Sequence, residues 1–328
     1  MSGHFTQSYR DILQLYASCA LCPRRCHVNR LAGETGFCGQ PLELRAARAA
    51  LHMWEEPCIS GAAGSGTVFF SGCNLRCVYC QNYDIALGQT GREISPNRLV
   101  KIFLNLQQKG AANINLVTPT HYLPTVVWAL EQARQEGLYL PVVYNCGGYE
   151  SVEALRMLEG LVDIYLPDLK YVSGELSSRY SHAEDYFEKA RLALDEMFRQ
   201  VGAPEFYSPA AHAENSPPHG AVYPPDTPLL RRGMIVRHLV LPGHVGDSKK
   251  VLHYLRDAFG NDIYVSVMCQ YTPLRHVAGL PELNRRVTPA EYQRVTDYCL
   301  RIGMENVYIQ EGDVAQDSFI PPFDLSGL

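Results

Sequence analysis

The 328-residue chain lacks any run of about 18 apolar residues, the length that a membrane-spanning helix requires. Its first residues, MSGHFTQSYRD, lack the apolar stretch of a secretory signal peptide. Basic residues are not in excess, since the chain has 29 lysines and arginines and 34 acidic residues. The formal net charge of −5 gives no support to nucleic-acid binding by bulk electrostatics. We therefore expect neither a membrane nor a nucleic acid as a partner.

Cysteine, by contrast, is abundant, with eleven in the chain. A chain of this length that is 46% hydrophobic can bury a core without help from disulfides. Its cysteines cluster at the spacings of metal ligands, which in a reducing compartment indicate metal binding. These features predict a cytoplasmic protein.

Three cysteines follow the strand-like run GTVFF in the segment SGCNLRCVYCQNYD. They are Cys73, Cys77 and Cys80, with the spacing C-x3-C-x2-C. A 4Fe–4S cluster normally takes four thiolates, so three would leave one iron open to a small molecule. The alternatives are a zinc site, which would require a fourth protein ligand, or three buried thiols. We favour the cluster, because no fourth thiolate lies nearby to complete a zinc site.

A second group precedes it, in which Cys19, Cys22, Cys26 and Cys38 have the spacing C-x2-C-x3-C-x11-C. Four thiolates can close a tetrahedral site, so structural zinc is the first interpretation of this group. An auxiliary iron–sulfur cluster is the second, because four thiolates bind either metal, and free thiols are the third. His27 could replace one cysteine as a ligand.

From residue 67 onward, short apolar runs alternate with amphipathic stretches, a pattern typical of βαβ units around a parallel sheet. Strands are predicted over residues 67–70, 113–117, 140–144, 162–166, 234–240, 263–267 and 306–309. Helices are predicted over residues 96–109, 124–136, 151–159, 184–201, 248–259 and 289–302. About six such units indicate an α/β fold, a partial (β/α)6 TIM-type barrel rather than the full eight-stranded form.

We predict two parts: residues 1–66 form a small N-terminal cysteine-rich metal module with its connector, and residues 67–328 form the barrel. A loop at 203–229, rich in proline, glycine and alanine, has neither helical nor strand periodicity. Because the loop joins a helix to the next strand, we expect it on the N-terminal face of the barrel. Its His212 and His219 are interpreted as solvated side chains.

Polar residues follow several of the predicted strands, at the face where active sites of such barrels lie. Those at the carboxyl ends are Thr118, Thr120, His121, Asn145, Asp168 and Lys170, and a later strand carries Arg237. So many polar strand ends around one rim predict a site for a polar ligand.

Some of these side chains also have a structural interpretation. Asp168 and Lys170 can point to the same side of a strand end, where they would bind a ligand, or they can form a surface ion pair. His121 could donate to a ligand or to the protein itself. Arg237 could pair with a ligand carboxylate or support the fold. For Cys146, a small buried residue is favoured over a role in radical chemistry.

Taken together, these motifs resemble the radical S-adenosylmethionine (SAM) superfamily, and within it the pyruvate formate-lyase activating enzyme-like (PflX) family. The resemblance extends over nearly the whole chain. Its segments are CPRRCHVNRLAGETGFC, EEPCISGAAGSGTVFFSGCNLRCVYCQNYDI, NINLVTPTHYLP, VDIYLPDLKY and RHLVLPG.

The resemblance implies a partial TIM barrel in which Cys73, Cys77 and Cys80 hold a 4Fe–4S cluster that binds SAM. It places Tyr79 near the adenine of SAM. Reductive cleavage of SAM would give a 5′-deoxyadenosyl radical, with the electron supplied by an external reductant of the flavodoxin or ferredoxin type.

By position, Asp168 and Lys170 match an Asp-x-Lys pair that contacts SAM in glycyl-radical activases. Thr118 and Thr120 stand where related enzymes have a Gly-Gly-Glu run at the SAM amino group, so the glutamate contact is absent or supplied differently. The extra cysteines precede the core motif, whereas activases with extra clusters usually carry them after it.

Three functions are compatible with these features. The first is a radical SAM enzyme that acts on an unidentified peptide, protein or small molecule. The second is a glycyl-radical-enzyme activase, which uses the same chemistry on a partner enzyme. The third is a non-catalytic metal-binding or redox-sensing protein.

Overall fold

The structure, a computed structural model, describes residues 9–207, 228–274, 277–310 and 321–328. The strands are β1 (Arg45–His52), β2 (Ser65–Phe70), β3 (Arg92–Glu93), β4 (Ile114–Val117), β5 (Val142–Cys146), β6 (Ile164–Pro167), β7 (Glu205–Phe206), β8 (Leu230–Leu239), β9 (Tyr264–Met268) and β10 (Val307–Ile309). The helices are α1 (Tyr9–Leu13), α2 (Pro57–Ser60), α3 (Tyr83–Ala86), α4 (Pro96–Gln108), α5 (Leu123–Gln135), α6 (Val152–Arg156), α7 (Gly174–Ser181), α8 (Tyr186–Val201), α9 (Val245–Phe259) and α10 (Pro289–Arg301).

One twisted sheet organises these elements, with the strand order β10-β9-β8-β6-β5-β4-β2-β1-β3. Successive strands from β2 through β10 in that order are parallel. β1 and β3 extend the sheet beside β2 with antiparallel pairing. In the described residues, helices follow β2, β4, β5, β6, β8 and β9, and β10 completes the sheet. The predicted α/β partial barrel is confirmed.

All seven predicted strands are present, and so are the six predicted helices. The helix predicted over 151–159 ends at Arg156. The sequence did not predict α7, whose segment GELSSRYS is short and rich in serine, so it lacks the apolar periodicity that marks α4.

Local sequence explains where the outer helices begin. Ser95 caps α4 by accepting a hydrogen bond from the backbone N–H of Arg98, and Pro96 occupies the first helical turn. At α10, Thr288 and Glu291 form a reciprocal capping box. These starts direct each helix back along the outside of the sheet.

The proline-rich loop connects α8 to β8, a helix-to-strand connection as predicted. Most of it, including His212 and His219, lies outside the described residues. Its first part does contain a strand: Glu205–Phe206 pairs antiparallel with the start of β8. The prediction that 203–229 has no strand is therefore wrong at these two residues, because pairing with a neighbouring strand outweighs weak local periodicity.

The N-terminal cysteine segment is fastened to the barrel by buried arginines. The Arg30 side chain is 1% exposed and donates to the carbonyl oxygens of Pro41 and His121. Its guanidinium carbon lies 4.3 Å from the centre of the Tyr16 ring. Because His121 follows β4, this contact joins the cysteine segment to the C-terminal face of the barrel.

Arg24 makes a second connection, directly to the loop that carries the other three cysteines. Its Nε donates to the carbonyl oxygen of Asn74 at 2.9 Å, and its guanidinium carbon lies 3.9 Å from the centre of the Phe37 ring. The two cysteine-bearing loops are thus in contact.

No helix in the described parts of the chain is long and apolar enough to cross a membrane.

We predict that Arg30→Ala lowers the free energy of unfolding by about 3 kcal/mol, because it removes charged hydrogen bonds and a desolvated cation–π contact. Urea unfolding of the wild type and variant measures this difference. The matched control is Arg98→Ala on the exposed surface of α4, which we expect to change stability by less than about 0.5 kcal/mol. Equal unfolding midpoints for the two variants would contradict this role of Arg30.

Candidate active site

The loop after β2 places three cysteines at the carboxyl end of that strand. Gly72 and Arg76 have positive φ angles of 92° and 50°, which turn the loop back on itself. The Cys73 Sγ accepts a hydrogen bond from the backbone N–H of Leu75 at 3.3 Å. A backbone N–H also donates to the sulfur of Cys80, from Asn82. Donors of this kind stabilise thiolates that bind metal clusters.

The third sulfur is bound by a side chain from α7. Ser181 Oγ donates to Cys77 Sγ at 3.0 Å and contacts the hydroxyl of Tyr171 at 2.9 Å. The Tyr171 hydroxyl in turn donates to that of Tyr79 at 2.5 Å. The Tyr79 ring is buried, with Tyr271 on another side at a centroid distance of 6.2 Å. The chain of hydroxyl groups therefore ends on the sulfur of Cys77.

Asp168 is the centre of an ion-pair network at the carboxyl end of β6. Its two oxygens lie 2.5 Å from Lys170 Nζ and 3.2 Å from Arg237 Nε. Arg237 Nη2 also donates to Asn145 Oδ1 at 2.5 Å. Residues from three neighbouring strand ends thus meet, as the sequence predicted, although the four side chains bind one another.

The charges of this network are mutually stabilised. Burial would raise the pKa of Asp168, but Lys170 and Arg237 outweigh it and hold the pKa below its ordinary value. Burial would likewise lower the pKa of Lys170, but Asp168 and the sulfurs of Cys77 and Cys80 raise it. The Lys170 ammonium therefore remains charged beside the cysteine loop.

The segment after β4 is used mainly for internal hydrogen bonds. Thr118 adopts the left-handed conformation, with φ of 57°, and its N–H donates to the carbonyl of Asn145 at 2.8 Å. Thr120 donates to Glu150 Oε1 at 2.9 Å. Burial raises the pKa of Glu150 to about 8, and Thr120 moderates that rise. The Thr120 hydroxyl thus has a protein partner.

His121 holds the cysteine loop from the side. Its Nε2 lies 2.6 Å from the carbonyl oxygen of Ser71, two residues before Cys73. Burial is the main reason that the pKa of His121 is lowered to about 3, so the ring is neutral at physiological pH. The His121 ring thus bonds to the protein itself in the structure, which is the structural one of the two roles considered for it.

A cavity of about 450 Å³ opens beside the cysteine loop. Its size falls within the range of small-molecule sites. The lining includes Gln81 and Asn82, which directly follow Cys80, and the network residues Asn145 and Arg237. Its other polar side chains are His52, Glu55, Glu56, Ser266, Gln270 and Gln310. A sulfur-bound cluster and a polar, zwitterionic ligand such as SAM are compatible with this combination of thiols, charges and space.

The N-terminal cysteine group repeats features of the first loop. Its C-x3-C segment ends with Arg25 in the left-handed conformation before Cys26, as Arg76 precedes Cys77. Cys26 Sγ accepts the N–H of Phe37 at 3.4 Å.

The remaining thiols of this group are also positioned by backbone donors. Cys22 and Cys38 accept the N–H groups of Arg24 and Gln40, and both interact electrostatically with Cys19. Burial raises the pKa of Cys22 to about 12. The thiol of Cys38 thus lies within electrostatic range of the more closely spaced Cys19, Cys22 and Cys26.

As positioned, no group of three or more histidine, cysteine, aspartate or glutamate side chains among the described residues could hold a metal ion. In both cysteine groups, hydrogen bonds from the protein position the thiols, which are not in close contact with one another.

Sequence reasoning missed several residues that contact the site. Ser181 belongs to a serine-rich helix with no recognisable motif, and its contact with Cys77 depends entirely on tertiary structure. Glu55 pairs with Arg237 at 3.4 Å, although the two are far apart in sequence. The adjacent acidic pair in EEPCISG, flanked by apolar residues, was the one available signal for buried carboxylates.

Residues 67–203 match the family model of the radical SAM superfamily. These residues therefore form a domain of the radical SAM superfamily, whose members are enzymes.

Two curated relatives are uncharacterized proteins of Methanocaldococcus jannaschii. The first is 28% identical over 308 residues, which cover 90% of this chain and 78% of that protein. The second is 25% identical over 169 residues, or 46% of this chain and 49% of that protein.

Solved structures with a similar arrangement include the FeFe-hydrogenase maturase HydG from Carboxydothermus hydrogenoformans, at 13% identity and a TM-score of 0.47. Another is Streptococcus suis SuiB bound to SAM, at 10% identity and a TM-score of 0.46. The matches cover 76% and 73% of this chain but only 54% and 48% of those chains. This chain thus spans about half the length of these structures.

We predict that Ser181→Ala makes the reduction potential of the cluster more negative by tens of millivolts, because a hydrogen bond to a thiolate stabilises the reduced, more negative form. A redox titration monitored by EPR measures the potential. Ser178→Ala, on the exposed side of the same helix, is the matched control and should leave it unchanged. An unchanged or less negative potential in Ser181→Ala would contradict the assigned contact.

Proposed function

We propose that this radical SAM enzyme binds a 4Fe–4S cluster through Cys73, Cys77 and Cys80 and uses SAM to abstract hydrogen from a peptide, protein or small molecule. When bound, the two cofactors supply reductive cleavage of SAM to a 5′-deoxyadenosyl radical. The observation that carries the proposal is a loop of three hydrogen-bonded thiols beside a polar cavity of about 450 Å³.

The chain's own residues would bind and orient SAM. In the proposal, Asp168 accepts N–H or O–H groups of SAM, and the ammonium of Lys170 attracts its carboxylate. Arg237 holds Asp168 from the other side and also donates to Asn145. Tyr79 lies near adenine in the proposal. Thr118 and His121 act indirectly, through their contacts with the carbonyl oxygens of Asn145 and Ser71. Thr120 contributes through Glu150 rather than by direct contact.

A glycyl-radical-enzyme activase is the narrower candidate. It is supported by the Asp-x-Lys pair, whose two side chains lie 2.5 Å apart at the cysteine loop. The competing candidate is a PflX-type enzyme that acts on another substrate. It is equally well supported, because the extra cysteines of this chain precede the core motif. The non-catalytic interpretation is not retained, because the chain contains a radical SAM domain.

We also propose that Cys19, Cys22, Cys26 and Cys38 bind a second metal centre, within the small module of residues 1–66 that precedes the barrel of residues 67–328. Two features support an iron–sulfur cluster over zinc: the left-handed arginine before the last cysteine of the C-x3-C loop, and the backbone donor to its first sulfur. Both recur in the loop that contains Cys73.

The reducing environment and the electron source follow from the same proposal. All eleven cysteines lie in the described residues and are free thiols, in keeping with a cytoplasmic location. The reductant would be an external one-electron donor of the flavodoxin or ferredoxin type.

We predict that anaerobically reconstituted, dithionite-reduced protein releases 5′-deoxyadenosine from SAM, measured by liquid chromatography. Cys73→Ala should abolish release, because a cluster ligand is lost. Cys299→Ala removes a buried thiol of α10 and is the matched control, so it should retain activity. Equal release by Cys73→Ala and the wild type would contradict the proposal.

We predict that the reconstituted wild type contains about eight iron atoms per chain if both cysteine groups bind a cluster, and about four irons with about one zinc if the first group binds zinc. Elemental analysis separates these outcomes. Cys26→Ala should lose the N-terminal metal and retain about four irons. Unchanged metal content in Cys26→Ala would contradict a metal centre at this group.

A further inference from the structure

Glu55 and Glu56 place two adjacent carboxyl groups in the wall of the cavity. Each residue is only 8% exposed. Glu55 has partners on both oxygens, since Oε1 accepts from Asn115 Nδ2 at 3.1 Å and Oε2 lies 3.4 Å from Arg237 Nη1. Its position is thus fixed by the protein.

Glu56 differs from its neighbour. It accepts a hydrogen bond from the side chain of Ser266 on β9. Its Oε2, however, is buried without any hydrogen-bond partner in the described residues. An acceptor left unsatisfied in this way costs free energy that a ligand with an N–H or O–H donor would recover. The orphaned oxygen therefore indicates a ligand that donates.

The charges around the cavity favour a cationic donor. In the described network, Lys170 pairs with Asp168, and Arg237 pairs with Asp168 and Glu55 and interacts electrostatically with Glu56. Burial raises the pKa values of Glu55 and Glu56, and the nearby Arg237 only partly opposes that rise. A bound cation would supply the missing charge and let both carboxylates ionise.

The histidine of the cavity wall does not supply that charge. His52 lines the cavity, but burial and then Arg48 and Arg237 lower its pKa to about 4. Its ring is therefore neutral at physiological pH.

Glu56 lies deep in the barrel, away from the cysteine loop. Gln81, just after Cys80, donates to the carbonyl of Gln270, in the segment that follows β9. Glu56 instead contacts Ser266, which lies on β9 four residues before Gln270. At the rise of an extended chain, four residues correspond to about 13 Å. A molecule that spans the cavity can thus have one end at the cluster side and the other at Glu56.

From this geometry we infer that Glu56 binds the protonated amino group of the substrate. A single free oxygen suits the compact ammonium group better than the planar fork of a guanidinium. The inference rests on the proposed function, because the SAM-derived radical would act on the molecule that Glu56 anchors. The ammonium group can belong to a free alkylamine or to a lysine side chain in a peptide.

Isothermal titration calorimetry tests the inference with cluster-loaded protein and SAM, in the absence of turnover. The probes are n-pentylammonium and N-acetyl-lysine N-methylamide, each compared with its neutral analogue, 1-pentanol or N-acetyl-norleucine N-methylamide. We expect at least one ammonium probe to bind at least about 30-fold more tightly than its neutral analogue, as loss of one partner of a buried charge pair implies. The better-bound probe distinguishes a free amine from a peptide.

Glu56→Gln should remove the preference for the ammonium probe, reducing its affinity by at least about 30-fold. Glu43→Gln, at an exposed carboxylate, is the matched control and should keep the preference. The comparison of charged and neutral probes in the wild type stays decisive even if Glu56→Gln folds poorly.

Failure of both ammonium probes to bind, or equal binding of charged and neutral probes, would overturn the inference. A loss of SAM affinity in Glu56→Gln with the ammonium preference intact would also overturn it, because the carboxylate would then serve the cofactor. Protein that binds the ammonium probe but releases no 5′-deoxyadenosine would retain this site while the proposed radical function fails.

Discussion

The structure depends on holding one loop of three thiols at the end of a buried strand. Metal-binding thiolates need donors to their sulfurs, and the loop obtains them from its own backbone and from Ser181. Other contacts brace the same loop: His121 binds its entry at Ser71, and Arg24 binds the carbonyl of Asn74. The N-terminal cysteine segment therefore acts as part of the support for the loop.

A second constraint is the compensation of charge inside the barrel. Asp168 can be buried because Lys170 and Arg237 approach it from two sides, and Lys170 in turn faces the sulfurs. The network extends through Arg237 to Glu55 in the cavity wall. A change in charge at the cluster end would consequently affect the carboxylates at the far end. Cofactor binding and substrate binding are, in this account, electrostatically coupled.

The sequence was sufficient to predict the alternating strands and helices, because parallel strands are short apolar runs and the outer helices are amphipathic with capped starts. Cysteine spacing likewise identified both thiol groups. The partners of individual side chains could not be predicted, since Thr120 with Glu150 and Ser181 with Cys77 meet only after distant elements pack. The buried state of Glu56 was hidden for the same reason: acidic residues are ordinarily exposed.

The measurement that tests the central claim most directly is the EPR spectrum of the reduced, cluster-loaded protein before and after addition of SAM. If three cysteines leave one iron open beside the Asp168 network, SAM must alter the signal, and Asp168→Asn should weaken that response. An unchanged spectrum in wild-type protein with a full cluster complement would contradict the account.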